Sequence, residues 1–254
     1  MQGMWVSMKE NMDCRNSVNG GVCHPKQHNI MHQASMGSIT SSKRMLIPPS
    51  IFTEVGEADL SRKVVEKILG NALTNPTAKI MKIRKVFRVK NSPQVVDTFE
   101  AYRGAIKTKA KERDQKHTRS MVDGNELLGF YVTTVTCFSR ESRPISAPCE
   151  FSDCNLCQLF GFSFDINNTE KPGMQLNINS EALRESIKGQ SRGKKSKRAV
   201  IICRIIAGRI RSVNDRRSDD EYDSIVKKGF YLNSQNLIVS NPNAVLPCFV
   251  VILN

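Results

Sequence analysis

Two dense apolar runs, Ala199–Gly208 and Val245–Leu253, limit what this chain can fold into. Both are rich in β-branched residues, and neither spaces its apolar residues at i, i+3 and i+4, so neither forms one face of a helix. Bounded by Gly, Pro and Asn, such runs read as strands buried on both faces. A sheet with a crowded centre, built from the last third of the chain, is the expected scaffold. Arg204 interrupts the first run, and its guanidinium must reach a partner or the sheet end. Cys203 and Cys248 fall inside the runs and are expected in the core.

Upstream, helical and extended patterns alternate. Leu60, Val64, Val65, Ile68 and Leu69 form a helical stripe, with Asp59 as N-cap and Gly70-Asn71 as its close. Over Ile80–Lys90 the pattern changes to period two, with Met81, Ile83, Phe87 and Val89 on one side and Lys82, Arg84, Arg88 and Lys90 on the other. Ser92-Pro93 opens a second helix with Val95, Val96, Phe99, Tyr102 and Ile106 on its buried side, running into the basic stretch Lys107–Lys116. Leu127–Cys137 reads as a strand and Ser139–Pro148 as a loop. Phe162 and Phe164 suit a short strand, Asn167–Gly173 a turn-rich loop, and Ser180 caps a helix carrying Leu183 and Ile187. The mixture predicts an α+β domain.

The first fifty residues, rich in Asn, Gln, His, Met, Ser and Gly, show no apolar periodicity. They are expected to form a disordered N-terminal extension (1–50) ahead of one domain (54–254). His28 and His32 have the spacing of a finger, but Cys14 and Cys23 are too far apart, and Cys23 too near His28, to complete one. No stretch approaches the length of a membrane span, and the start lacks a secretory leader. Eight cysteines in that setting imply reduced thiols and a nuclear or cytoplasmic protein. Lys194-Lys195-Ser196-Lys197-Arg198 has the density of a nuclear-import signal.

A formal charge of +14 favours polyanionic partners, although solubility alone is another use for it. Lys82, Arg84, Arg88, Lys107, Lys109, Lys111 and Arg113 are the candidate nucleic-acid contacts, against the plainer reading of a solvated cationic face. No aromatic residue interleaves them in sequence, so any contact is expected at the nucleic-acid backbone rather than the bases. Among the cysteines, Cys154-x-x-Cys157 is a zinc half-site, since two thiolates on one tight loop can reach a tetrahedral ion. Cys137 and Cys149 are the candidates for the other half. The alternatives are a structural zinc and four inert buried thiols.

Five blocks then stand in order: VDGNELL (Val122–Leu128), CNLC (Cys154–Cys157), AVIICRIIAGRI (Ala199–Ile210), YDS (Tyr222–Ser224) and NPNAVLPCFVVI (Asn241–Ile252). Together they resemble the poly(ADP-ribose) polymerase-type ADP-ribosyltransferase fold, and more closely a plant group of such domains described as zinc-finger-like proteins. The resemblance spans Glu54–Asn254 and implies mixed and antiparallel sheets flanked by short helices, with NAD bound in a cleft. In that family a His hydrogen-bonds the nicotinamide-side ribose and the Gly after it holds the carboxamide. A Tyr stacks on the nicotinamide, and a Glu stabilises positive charge developing on the sugar.

The matching positions here carry other side chains. The His-Gly pair falls on Tyr131 and Val132, the Tyr on Gln175 of Gly173-Met174-Gln175, and the Glu on Asn236. Val132 puts a branched side chain where a ligand would approach the backbone, Gln175 cannot stack, and Asn236 supplies a dipole in place of a charge. Losing one such group costs about 2.7–4 kcal/mol of transition-state stabilisation, by analogy with oxyanion-hole deletions. The resemblance therefore implies a catalytically inactive domain that binds a protein partner as an interaction or scaffold module and needs no cofactor. Two alternatives stand beside it: a basic, non-sequence-specific nucleic-acid-binding protein, and a divergent NAD-dependent mono-ADP-ribosyltransferase using Glu221 or Asp223.

Overall fold

In the computed structural model of the chain the described residues are 50–74, 81–113, 118–140, 147–161, 173–190, 196–213, 221–229 and 234–254. The strands are β1 (Phe52–Glu54), β2 (Ile83–Val89), β3 (Glu126–Val135), β4 (Met174–Asn177), β5 (Lys197–Ile206), β6 (Ile210–Ser212), β7 (Ser224–Lys228), β8 (Gln235–Val239) and β9 (Val245–Leu253). Helices α1 (Leu60–Leu73), α2 (Pro93–Arg113), α3 (Thr118–Asp123), α4 (Cys137–Arg140), α5 (Asn155–Gly161) and α6 (Ser180–Gly189) lie between them, and a 3-10 turn, Pro242–Ala244, precedes β9. The result is a mixed α+β domain on one nine-stranded sheet of order β1-β2-β9-β5-β3-β4-β8-β7-β6. All neighbours pair antiparallel except β6 and β7.

The two apolar runs are central strands. β5 and β9 pair with each other, and β9 is buried along its whole length. Residues opposite one another in antiparallel strands share a face, so the register sorts the core. One face carries Val86, Val200, Ile202, Phe249 and Val251. Helices α1 and α6 lie against it, as Arg88 Nη2 donates to Ser61 Oγ at 2.8 Å and Ser186 Oγ to Asn177 Oδ1 at 2.6 Å. The other face carries Ala199, Ile201, Cys203, Val250 and Ile252, buried with Met174, Leu176, Leu237 and Val239. Helix α5 closes the edge of that core, with Phe160 and Phe52 edge-to-face at 4.9 Å between centroids.

Arg204 finds its partner inside the fold. Its Nε donates to Glu126 Oε1 at 2.8 Å and its Nη2 to Glu126 Oε2 at 3.2 Å. Burial works against the guanidinium's charge, but the Glu126 carboxylate outweighs it and raises the Arg204 pKa above its ordinary value.

Several local expectations are revised. Asp59 caps α1 through Ser61 N, but the helix runs past Gly70-Asn71 to Leu73, where Thr74 N bonds Gly70 O. Leu60 is 63% exposed, because the buried side of α1 turns on Val65, Leu69, Ala72 and Leu73. A β-bulge at Arg84 breaks the alternation in β2 and sends Ile83 and Phe87 to opposite faces. Val95 stays exposed on α2. Asn179, not Ser180, caps α6 by accepting from Ala182 N. The strand expected to reach Cys137 stops at Val135, and Cys137 opens a helical turn. The strand expected at Phe162 and Phe164 and the loop from Asn167 up to Gly173 lie outside the described residues, as do the first forty-nine residues with their Cys and His. No helix among the described residues is long and apolar enough to cross a membrane.

Candidate metal centre

The end of β3 and the start of α5 meet through a small hydrogen-bonded knot. Thr136 Oγ1 donates to Asp153 O at 2.6 Å, Asn155 Nδ2 donates to Thr134 Oγ1 at 3.0 Å, and the turn Phe151–Cys154 closes by Cys154 N to Phe151 O at 3.1 Å. The first turn of α5 follows, and an i, i+3 spacing brings Cys157 to the same side as Cys154. Cys137 arrives from the strand end and Cys149 from the extended segment before the turn. Their four Sγ atoms all lie within 4.8 Å of one another. Cys137 is 3.7 Å from both Cys154 and Cys157.

Those distances suit a metal. With Zn–S bonds of about 2.3 Å, the sulfur–sulfur edge of a tetrahedron is about 3.8 Å. A disulfide would need about 2.05 Å, and all four thiols are free. Four soft sulfur donors fit zinc, and a complete set of protein ligands leaves no open position, as in a structural site. Thr136 N donates to Cys154 Sγ at 3.5 Å, the kind of surrounding contact that orients a ligand. Cys137, Cys154 and Cys157 are buried, while Cys149 is half-buried.

Crowding spreads the thiol acidities. Hydrogen bonding with Cys154 and burial push Cys137 up to about 12. Cys157 is raised by its contacts with Cys137 and Cys154, and hydrogen bonds with Cys137 and Cys157 lower Cys154. A cation relieves that crowding by replacing the thiol protons as it binds. Only the Cys154–Cys157 half of this centre has a sequence spacing that announces it.

The positions matched to the dinucleotide cleft fall on neighbouring strands, Tyr131 and Val132 on β3, Gln175 on β4 and Asn236 on β8. Phe130 stands opposite Asn177 and Asn177 opposite Asn236, so Gln175 and Asn236 share the face that bears Phe130 and Val132. Tyr131 points to the opposite face, where it packs on the apolar core, and burial raises its phenol pKa. Gln175 is exposed, and Asn236 keeps a buried Oδ1 without a hydrogen bond.

The candidate nucleic-acid contacts fall at β2 and on α2. Lys82 and Arg84 lie at the start of β2, and Arg88 faces α1. Lys107, Lys109 and Lys111 ride on α2, and Lys109 is held by Asp223 at 2.7 Å and Glu221 at 3.0 Å. Asp223 also accepts from Arg209 N at 2.8 Å. No protein-family model matches the chain, and no curated protein matches it.

Proposed function

We propose that residues 54–254 form a poly(ADP-ribose) polymerase-type ADP-ribosyltransferase-like domain, akin to plant zinc-finger-like proteins, that is catalytically silent and serves as an interaction module. The observation that carries the silent reading is the register. The side chain at the His position, Tyr131, faces away from those at the Tyr and Glu positions, Gln175 and Asn236. A one-residue offset in a strand sends a side chain to the other face. A ribose gripped at Gln175 and Asn236 is therefore out of reach of the Tyr131 hydroxyl. The lost ring and the lost charge at the other two positions act in the same direction. Against the divergent transferase, Glu221 and Asp223 are both engaged by Lys109, which offsets the negative charge a reacting sugar would need.

In the same reading, a zinc ion on Cys137, Cys149, Cys154 and Cys157 is structural. It would tie the end of β3 to α5 and supply rigidity, with no position left for substrate.

Calorimetric titration of the full chain with NAD, beside a nicotinamide-release assay, tests the proposal. No saturable heat and no nicotinamide are expected. Micromolar NAD binding with turnover by the unmodified chain refutes it. The combination Tyr131→His, Val132→Gly, Gln175→Tyr and Asn236→Glu asks whether side-chain identity alone stands in the way; the register argument expects it to stay silent.

A further inference from the structure

The four sulfurs of the candidate metal centre are alike as ligands but not as targets. Cys137, Cys154 and Cys157 are 5%, 0% and 1% exposed, whereas Cys149 is half-buried. They also differ in how the chain holds them. Cys137 opens the turn that follows β3, and Cys154 and Cys157 flank the first turn of α5, where Gln158 N donates to Cys154 O at 3.0 Å. Cys149 stands in residues 147–151, a stretch with neither helix nor strand.

Backbone N–H groups separate the four further. Thr136 N donates to Cys154 Sγ at 3.5 Å, and the Cys137 N–H supports the same sulfur. A thiolate whose charge is stabilised in this way is a poorer nucleophile. The Cys149 N–H leans on Cys157, which makes those two residues neighbours. Zinc would hold all four sulfurs as thiolates, the form that a two-electron oxidant attacks. Thiolate character is then common to the set, and access to solvent sets Cys149 apart.

We propose that Cys149 is the residue at which a peroxide modifies the zinc-loaded centre, and that its oxidation empties the centre. The inference rests on the structural-zinc reading and is independent of whether the domain binds NAD. The Cys149 sulfur attacks one peroxide oxygen. An S–O bond forms as the O–O bond breaks, hydroxide leaves, and the sulfur, oxidised by two electrons, becomes a sulfenic acid. The Cys157 thiolate attacks that sulfur next; an S–S bond forms, the S–O bond breaks, and a second hydroxide leaves. The two sulfurs start no more than 4.8 Å apart and must close to about 2.05 Å, and the partner outside helix and strand is the one that moves. Both hydroxides take up protons to give water. Cys137 and Cys154 alone do not retain the ion, and each takes up a proton as it is lost. Each chain thus consumes one peroxide, gains one disulfide and gives up one zinc. A thiol reductant with added zinc rebuilds the centre, because the chemistry stops at the disulfide.

The test exposes the full chain, loaded with zinc and freed of reductant, to hydrogen peroxide beside a chromogenic zinc indicator. Release is expected at one peroxide per zinc. Dimedone, which traps sulfenic acids, should mark Cys149 first when peptides are read by mass spectrometry. Without the trap, cleavage before Asp153 parts Cys149 from Cys154 and Cys157, and the linked peptides should join Cys149 to Cys157. Cys149→His keeps a ligand for zinc and removes the oxidisable sulfur. It should slow release by about tenfold, since the other three sulfurs are reached only when the fold opens locally. Cys14→Ser/Cys23→Ser should release zinc at the wild-type rate, which separates direct attack from exchange with a disulfide formed elsewhere in the chain.

A chain that takes up no zinc refutes the metal reading and this inference with it. With zinc bound, the inference alone is overturned by a centre that keeps its metal in excess peroxide or by a disulfide that leaves Cys149 out. Dimedone on Cys137, Cys154 or Cys157 ahead of Cys149, wild-type release from Cys149→His, or release that depends on Cys14 and Cys23 also overturns it. If Cys149→His does not hold zinc, the order of dimedone labelling in the unmodified chain decides.

Discussion

Replacing Glu126 with Gln removes the one fully buried carboxylate from a four-membered ionic knot. Glu126 is 0% exposed and takes two bonds from Arg204, which is 7% exposed on its side chain, while Oε2 lies 2.6 Å from Arg103 Nη1. Glu100, 44% exposed, also meets both arginines, at 3.3 Å to Arg204 Nη2 and 3.2 Å from Arg103 Nη2. In Glu126→Gln the two guanidiniums keep the half-exposed Glu100, and the most buried of the four groups has lost its charge. Breaking a buried pair in this way costs about 3–5 kcal/mol. For a domain of this size that is about 6–20 °C in melting temperature. Arg204→Met should cost less, because Glu126 keeps Arg103. The double variant Glu126→Met/Arg204→Met, with apolar side chains in both places, should be more stable than Glu126→Gln by about 1 kcal/mol or more. Urea denaturation with an unchanged m-value reads each difference. A loss below about 1 kcal/mol in Glu126→Gln, or a double variant worse than the two singles added, would refute the assignment of this knot as a closed ionic unit.

Metal analysis under reducing conditions should find one zinc per chain, and Cys154→Ser should lose it and lower the melting temperature. The zinc should stay bound at mildly alkaline pH and be lost on acidification, since thiolates must take back protons as it leaves. Burial, aided by Asp223, pushes the Tyr102 phenol up to about 12 from 10. Between those values the unfolded chain loses the proton that the folded chain keeps, so stability should fall as pH rises from 10 to 12, and Tyr102→Phe should flatten that fall in thermal melts. Asp59→Ala should cost about 1 kcal/mol through its bond from Ser61 N at 2.8 Å. That bond, first among the causes, lowers the Asp59 pKa, so its contribution is present above the ordinary carboxylate range and fades as pH falls below about 3.8. Acid titration of wild type against the Ala variant should show the two stabilities converging.

How much was legible beforehand differs by feature. The central strands announced themselves, because a run such as Ala199–Ile206 is intolerable in water and fits only a sheet covered on both sides. Asp59 and Pro93 were legible because caps and first turns act on neighbours in sequence. Arg204 told the reader that a counter-charge had to exist, since an unpaired buried guanidinium is too costly. It did not say that the counter-charge was Glu126, seventy-eight residues away in sequence.

What the sequence alone determined is therefore what one or two turns of chain can enforce: strand against helix, cap against interior, a pair of cysteines on one loop. The tertiary structure decided everything that depends on which strands pair and in what register. It brought Cys137 and Cys149 to Cys154 and Cys157, and turned Tyr131 away from Gln175 and Asn236. The physical reason is that side-chain direction in a sheet reverses with each residue. A bulge at Arg84 or a shift of one position in β3 changes which groups meet, while the composition and local pattern of the chain remain the same.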